Sequence, residues 1–247
     1  TSYVTGISKS LGGSGDPSPV TAFGVYIGMK ASVKEKFNKN SLKGLRVSVQ
    51  GLGHVGTCLV DYLTKDGAEV YVTDIDKNRL DFILNKYNCI GVKPDDILSQ
   101  EVDIYAPCAL GATVNKKSIS SLNCQIIAGA ANNVLENPII DSEALVKKNI
   151  LYAPDYVINA GGLINVANEL EGYDKEKAFS QAEKIYDTLM GIFQRAKKES
   201  INTNKSLMQS IKKALLLNSY DINTVQLVET TSREAVTSLL SMDLLRP

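Results

Sequence analysis

A chain of 247 residues with 27 basic and 27 acidic side chains carries no net formal charge and is long enough for one large α/β domain, or one and a half, with an ample core. Its lysines and arginines are spread rather than clustered, which argues against nucleic acid as a partner, and no apolar run is long enough to span a membrane. Cys58, Cys89, Cys108 and Cys124 are widely spaced with no CxxC pair, and there is one histidine, so neither a metal site nor a disulfide framework is expected.

These cysteines read as the reduced thiols of a cytoplasmic protein, while Thr1 in first place leaves an upstream targeting peptide open. From Thr5-Gly6 to Pro17-Ser18-Pro19 the chain is rich in Gly, Ser and Pro, which marks a loop with fixed turns. A helix follows over Val20–Phe37, where Ala22, Tyr26, Met29 and Val33 recur at helical spacing, and Asn38-Lys39-Asn40-Ser41 ends it. Lys34, Lys36, Lys39 and Lys43 read as the solvated end of that helix. Strands are then expected at 45–50, 69–73, 102–106, 125–128 and 150–153, with helices between them, one of which covers His54–Lys65. That alternation is the βαβ rhythm of a Rossmann-like, doubly wound, mostly parallel sheet. Phe179, Ala182, Tyr186, Leu189, Phe193 and Ala196 step by three and four and predict one long helix over Lys175–Lys198, with a second near Ser206–Leu217. The resulting division is a loop and connector helix at 1–43, a dinucleotide-binding domain at 44–170 and C-terminal helices at 171–247.

The most informative string is Gly51-Leu52-Gly53-His54-Val55-Gly56, because it follows the strand run at 45–50 and opens a helix. GxGxxG in isolation is weak in a chain with 18 glycines, but strand, glycine turn, helix and a second strand closed by Asp74 together form a dinucleotide fingerprint. The first glycine allows the turn, the second lets backbone approach a pyrophosphate, and the third lets helix and sheet pack closely. The helix start offers free N–H groups and a partial positive charge to that pyrophosphate. Asp74 would accept hydrogen bonds from ribose hydroxyls and repel a 2′-phosphate, so NAD is expected rather than NADP. Arg79, the nearby group that could meet such a phosphate, falls on the next helix.

Further strings lie at strand ends, where open α/β sheets bind ligands. They are Ala106-Pro107-Cys108-Ala109-Leu110-Gly111, Ala128-Gly129-Ala130-Ala131-Asn132-Asn133 and Pro154-Asp155-Tyr156-Val157-Ile158-Asn159-Ala160-Gly161-Gly162. With Tyr3-Val4-Thr5-Gly6 and Gly13-Ser14-Gly15-Asp16-Pro17-Ser18-Pro19-Val20-Thr21, the chain resembles the amino-acid dehydrogenases that act on glutamate, leucine, phenylalanine and valine, most nearly their leucine-acting branch. The resemblance runs from Thr1 to about Ser200, and the tail from Ile201 to Pro247 departs from the pattern.

The resemblance implies NAD-dependent, reversible oxidative deamination of an L-amino acid to a 2-oxo acid by a homo-oligomer. It matches Gly51, Gly53, His54, Val55 and Gly56 to the pyrophosphate turn and Asp74 to the ribose acid. It matches Cys108 and Ala109, with Ala131 and Asn132, to loops along the adenosine and the nicotinamide ribose, and Thr21 and Asn159 to the carboxamide. Leu163 and Val166 match positions that touch the substrate side chain. Glutamate-specific relatives carry serine at the second of these, where this chain has valine. A carboxylate there would lose hydration without a partner, so leucine, valine and isoleucine are the expected substrates and phenylalanine the nearest rival. The family's carboxylate-binding and water-activating lysines and its proton-carrying aspartate belong to an N-terminal domain that precedes Tyr-Val-Thr-Gly. No residue here matches them, so no catalytic residue is assigned, and the chain is expected to be the cofactor half, inactive alone.

Three residues invite sharper roles than they merit. His54 is expected to be a solvent-facing contact, Cys108 a small lining residue without an activating base, and Asp155 a turn-stabilising carboxylate. The contrasting reading of the whole chain is a catalytically silent NAD-binding or assembly module on the same fold.

Overall fold

The computed structural model describes residues 7–8 and 13–217. The elements run α1 (Ser18–Phe37), β1 (Arg46–Gln50), α2 (His54–Lys65), β2 (Glu69–Thr73), α3 (Lys77–Lys86), β3 (Cys89–Gly91) and β4 (Ile104–Pro107). They continue with α4 (Lys116–Ser121), β5 (Ile126–Ile127), α5 (Ile140–Lys147), β6 (Leu151–Tyr152), α6 (Asp155–Ile158), α7 (Gly161–Ala167), α8 (Lys175–Glu183), α9 (Ile185–Glu199) and α10 (Thr203–Leu217). The strands form one all-parallel sheet in the order β3-β2-β1-β4-β5-β6, the doubly wound Rossmann-like architecture expected. Among the described residues no helix is long and apolar enough to cross a membrane.

Parallel strands covered on both faces must bury side chains in both directions. Val47, Val49, Ile104, Ala106, Ile126 and Ala128 point into a large core shared with α1, α2 and α9. Tyr105, Ile127 and Tyr152 point into a second core with Val114, Ile119 and Leu145. On the first face α1 comes unusually close to its neighbours. A Cβ on Gly24 would lie 2.7 Å from Ile185 Cδ1, and one on Gly28 would lie 2.5 Å from Ile158 Cγ1. These contacts tie α1 to α6 and α9.

The expected long helix over 175–198 is two helices. Lys184 separates α8 from α9, and its N–H bonds Gln181 O three residues back, a 3-10 step rather than an α-helical one. Of the predicted stripe, Ala182, Leu189, Phe193 and Ala196 are buried while Phe179 and Tyr186 are half-buried, and Ala178 and Ile185 complete the buried face across the break. The sequence also hid β3, a three-residue edge strand paired with β2 through Val70 and Cys89. Strands β5 and β6 are two residues each, shorter than their apolar runs. Helix α10 starts at Thr203, ahead of the expected Ser206.

Candidate functional site

The strand order reverses between β1 and its two neighbours, β2 and β4. Gln50 is in register with Thr73 on one side and Pro107 on the other, so the residues that follow emerge side by side. Gly51 N donates to Thr73 O at 2.9 Å, Cys108 N to Gln50 O at 2.8 Å, and Ala131 N to Pro107 O at 2.9 Å. Expected site residues from three separate strings are thereby brought to one edge of the sheet, the crevice where open α/β folds place ligands.

The three glycines of the turn face different constraints. Gly51 has φ +100°, and a Cβ there would lie 2.7 Å from that of Ala109. A Cβ on Gly56 would strike the Gly51 carbonyl oxygen, so the helix could not sit so near the turn. Among the described residues Gly53 is required by neither backbone nor neighbours: its φ is −66°, and none of them lies within 4 Å of where its Cβ would be. It is the N-cap of α2, which has no capping side chain and no acid in its first turn. Serine, aspartate or asparagine would cap that helix at least as well. The first-turn N–H groups of α2 and the open space above Gly53 therefore make a cradle for an anion larger than any protein group present.

Asp74 leaves β2 pointing back at this turn. Its Oδ2 accepts the Leu52 N–H at 2.6 Å and its Oδ1 the Asp76 N–H at 2.8 Å, so one carboxylate ties the glycine turn to the end of β2. Each oxygen keeps a lone pair for a further donor. Arg79 lies on α3, as expected, with Nε 3.5 Å from Asp76 Oδ2. His54 is exposed and its Nδ1 is 3.1 Å from Asp16 Oδ2, a contact that spacing alone did not reveal. Burial pushes the Asp16 carboxyl up, but hydrogen bonds from Ser18 and His54 outweigh it and hold it below its ordinary value. A cleft of about 470 Å³ opens among Asp16, Gly53, His54, Thr57 and Arg79. Two large apolar side chains stand in solvent on the flanking loops, Ile75 after β2 (95% exposed) and Leu110 after β4 (81%). Their signal in the sequence was an apolar residue just past a strand end.

The opposite wall is made of side chains. Asn159, at the end of α6, donates from Nδ2 to Asn132 Oδ1 at 2.6 Å and to Ala130 O at 3.2 Å. The loops after β4 and β5 join through Ala112 N to Asn133 O at 2.6 Å and Val114 N to Val134 O at 3.0 Å. Asp155 is buried, with both carboxylate oxygens on backbone N–H groups, Val134 at 3.0 Å and Tyr156 at 3.1 Å, so it has the structural role expected but braces a loop 21 residues away rather than a local turn. Burial pushes the Cys108 thiol up to about 12, which removes it as a nucleophile at neutral pH. Thr21 Oγ1 bonds Pro17 O at 3.0 Å and lies against the start of α7, where a Cβ on Gly162 would come within 2.7 Å of it. Leu163 and Val166, one helical turn apart on α7, are half-buried. The Tyr3-Val4-Thr5-Gly6 string and the tail beyond residue 217 lie outside the described residues.

A family model for Glutamate/Leucine/Phenylalanine/Valine dehydrogenase matches residues 12–78 and 71–233. The chain is 50% identical over 201 residues to a leucine dehydrogenase of Thermoactinomyces intermedius, covering 81% of this chain and 55% of that one. It is 48% identical over 204 residues to an L-tryptophan dehydrogenase of Nostoc punctiforme, covering 83% and 57%. The crystal structure of the L-tryptophan dehydrogenase from Nostoc punctiforme superposes with a TM-score of 0.76 over 77% of this chain and 57% of that one. The chain thus spans a little over half the length of these relatives.

Proposed function

The chain belongs to the glutamate/leucine/phenylalanine/valine dehydrogenase family, and from that premise we propose that it binds NAD in the crevice between β2, β1 and β4. We further propose that it forms the cofactor-binding half of an enzyme for oxidative deamination of a branched-chain L-amino acid. The observation that carries this reading is Gly53: a glycine that the chain itself does not need, at the uncapped start of α2, beside the Asp74 carboxylate. Bound NAD would supply the hydride acceptor.

The chain's own residues bind and orient. The first-turn N–H groups of α2 hold the pyrophosphate. Asp74, already fixed by Leu52 and Asp76 N–H groups, receives the ribose hydroxyls and opposes a 2′-phosphate. Arg79, the cation that could meet such a phosphate, is paired instead with Asp76, its Nε 3.5 Å from Oδ2. Ile75 and Leu110 offer apolar surface on either side of the turn for the flat face of the adenine. Asn132, Asn159 and Thr21 set the orientation of the nicotinamide, and fixing one orientation for hydride transfer can supply several kcal/mol of barrier reduction.

Leu163 and Val166 present an aliphatic surface on α7, where a side-chain methylene or two would contribute about 1–3 kcal/mol and a carboxylate would be left without a partner. An aromatic substrate is the second reading, and the 48% identity to an L-tryptophan dehydrogenase favours keeping it. The test is calorimetric titration of the chain with NAD and NADP, followed by NADH-forming assays with leucine and tryptophan on the same sample. The expected result is NAD binding tighter than NADP with no turnover. Turnover would place catalytic groups within this chain, and absence of NAD binding would end the reading.

A further inference from the structure

Asp155 has no place among the groups that face the crevice, yet the wall carrying Asn132 depends on it. The segment from Ala131 to Leu135 is fastened to α6 at two points. At the start of α6, Asp155 Oδ2 accepts the Val134 N–H at 3.0 Å; at its end, Asn159 Nδ2 donates to Asn132 Oδ1 at 2.6 Å. Asn159 N in turn bonds Asp155 O at 3.0 Å, so both fastenings share one short helix. The loop it meets carries strain at one point: Ala112, whose N–H bonds Asn133 O, has φ of +56°, a left-handed value that costs energy in a residue with a Cβ, whereas Asn133, also at +56°, tolerates it. Beside that pair Asp155 is 2% exposed, and its two oxygens accept N–H groups from the loop at Val134 and from α6 itself at Tyr156.

We propose that Asp155 is a positioning residue: by holding the Val134 N–H it fixes the 131–135 segment so that Asn132 meets Asn159, and it thereby sets how the nicotinamide half of the dinucleotide is held. This rests on the NAD-binding reading above. A carboxylate suits the task because it accepts at both oxygens. An asparagine of the same shape would have to aim an NH₂ at one of two backbone N–H groups. The adenosine half, gripped by the glycine turn and Asp74, shares neither fastening.

The test compares NAD with ADP, which lacks the nicotinamide and its ribose, in calorimetric titrations of the whole chain and of Asp155→Asn. The substitution is expected to weaken NAD binding about tenfold, the loss typical of a hydrogen bond to a charged group, while ADP binding changes less than about twofold. The fluorescence change of NADH on binding should shrink in parallel. Gly111→Ala approaches the same segment from its exposed side, since its Cβ would lie 2.5 Å from Asn132 O, and it should give the same selective loss. Equal losses for NAD and ADP, or an unfolded Asp155→Asn, would make Asp155 a general structural residue and overturn the proposal. An unchanged NAD to ADP ratio in either variant would also overturn it. If the unsubstituted chain binds neither ligand, the cofactor reading itself has failed.

Discussion

On the β1–β2 side of the crevice the chain is shaped by where a Cβ cannot go; the β4–α7 side has such glycines too, at Gly111, Gly129 and Gly161, and adds hydrogen bonds between side chains and distant backbone. Gly51 and Gly56 exclude side chains because other protein atoms already fill the space. Across the crevice Ala112 and Asn133 hold left-handed backbone without being glycine, and Asp155 and Asn159 fasten Val134 and Asn132 on either side of Asn133. A steric wall fails abruptly and locally, whereas a hydrogen-bonded wall can lose orientation while remaining folded. Gly53 differs from both, since no described residue lies within 4 Å of where its Cβ would be.

That difference predicts the largest effects. Gly56→Ala drives a methyl into the Gly51 carbonyl oxygen and should cost about 1–3 kcal/mol, a fall of roughly 2–12 °C in Tm. The Cβ of Gly53→Val meets no described protein atom, so the variant should keep the parent's circular dichroism and lose only the few degrees of Tm that a poor N-cap costs, yet weaken NAD binding by more than about 100-fold by closing the approach to the pyrophosphate. Thermal melts and titrations on the two variants separate the cases. If Gly53→Val also unfolds the chain, the contrast between a packing glycine and a ligand glycine is wrong.

The Asp74 carboxylate bridges the two styles, as a side chain that braces the steric wall. Asp74→Ser should reduce NAD affinity about tenfold, as expected for a lost charge-assisted hydrogen bond, and should narrow the preference over NADP. The brace to the Leu52 N–H also goes, so a modest drop in Tm should accompany it. An unchanged ratio of NAD to NADP dissociation constants would reject the ribose role while leaving the brace intact.

The two walls also differ in how far the sequence exposed them. The β1-α2-β2 unit was legible because its signals are local: a short run buried on both faces in β1, a glycine turn and an acid within 24 residues produce α2 and β2 with the boundaries expected. The far wall was recognised only by resemblance, since the Asp155 to Val134 and Asn159 to Asn132 contacts join residues 21 and 27 positions apart and no periodicity encodes them. Lys184 hid the break between α8 and α9 because a 3-10 step leaves the buried stripe continuous. Strand β3 was hidden because two of its three residues, Ile90 and Gly91, are exposed and one of them is glycine, which leaves only a short apolar run to read. The Asp16 to His54 contact joins the loop before α1 to the glycine turn, and neither residue's neighbours announce it.

That contact gives the smallest expected effect. Asp16 is held below its ordinary carboxyl value, so folding favours its ionised form; the stabilisation is complete above 3.8 and is lost as pH falls through the depressed value. The pair is exposed, which limits its worth to below about 1 kcal/mol. Asp16→Asn should therefore lower Tm slightly at neutral pH, and the difference should close in strong acid. Its effect on binding has the opposite sign. Asp16 shares a cleft with Gly53 and His54, so its negative charge opposes an incoming pyrophosphate. Removing that charge should tighten NAD binding up to about threefold at low salt, and the gain should vanish near 1 M salt, where the screening length is only about 3 Å. A gain that survives high salt would mean that Asp16 acts through the shape of the loop, and the lip of the crevice would then belong with the hydrogen-bonded wall.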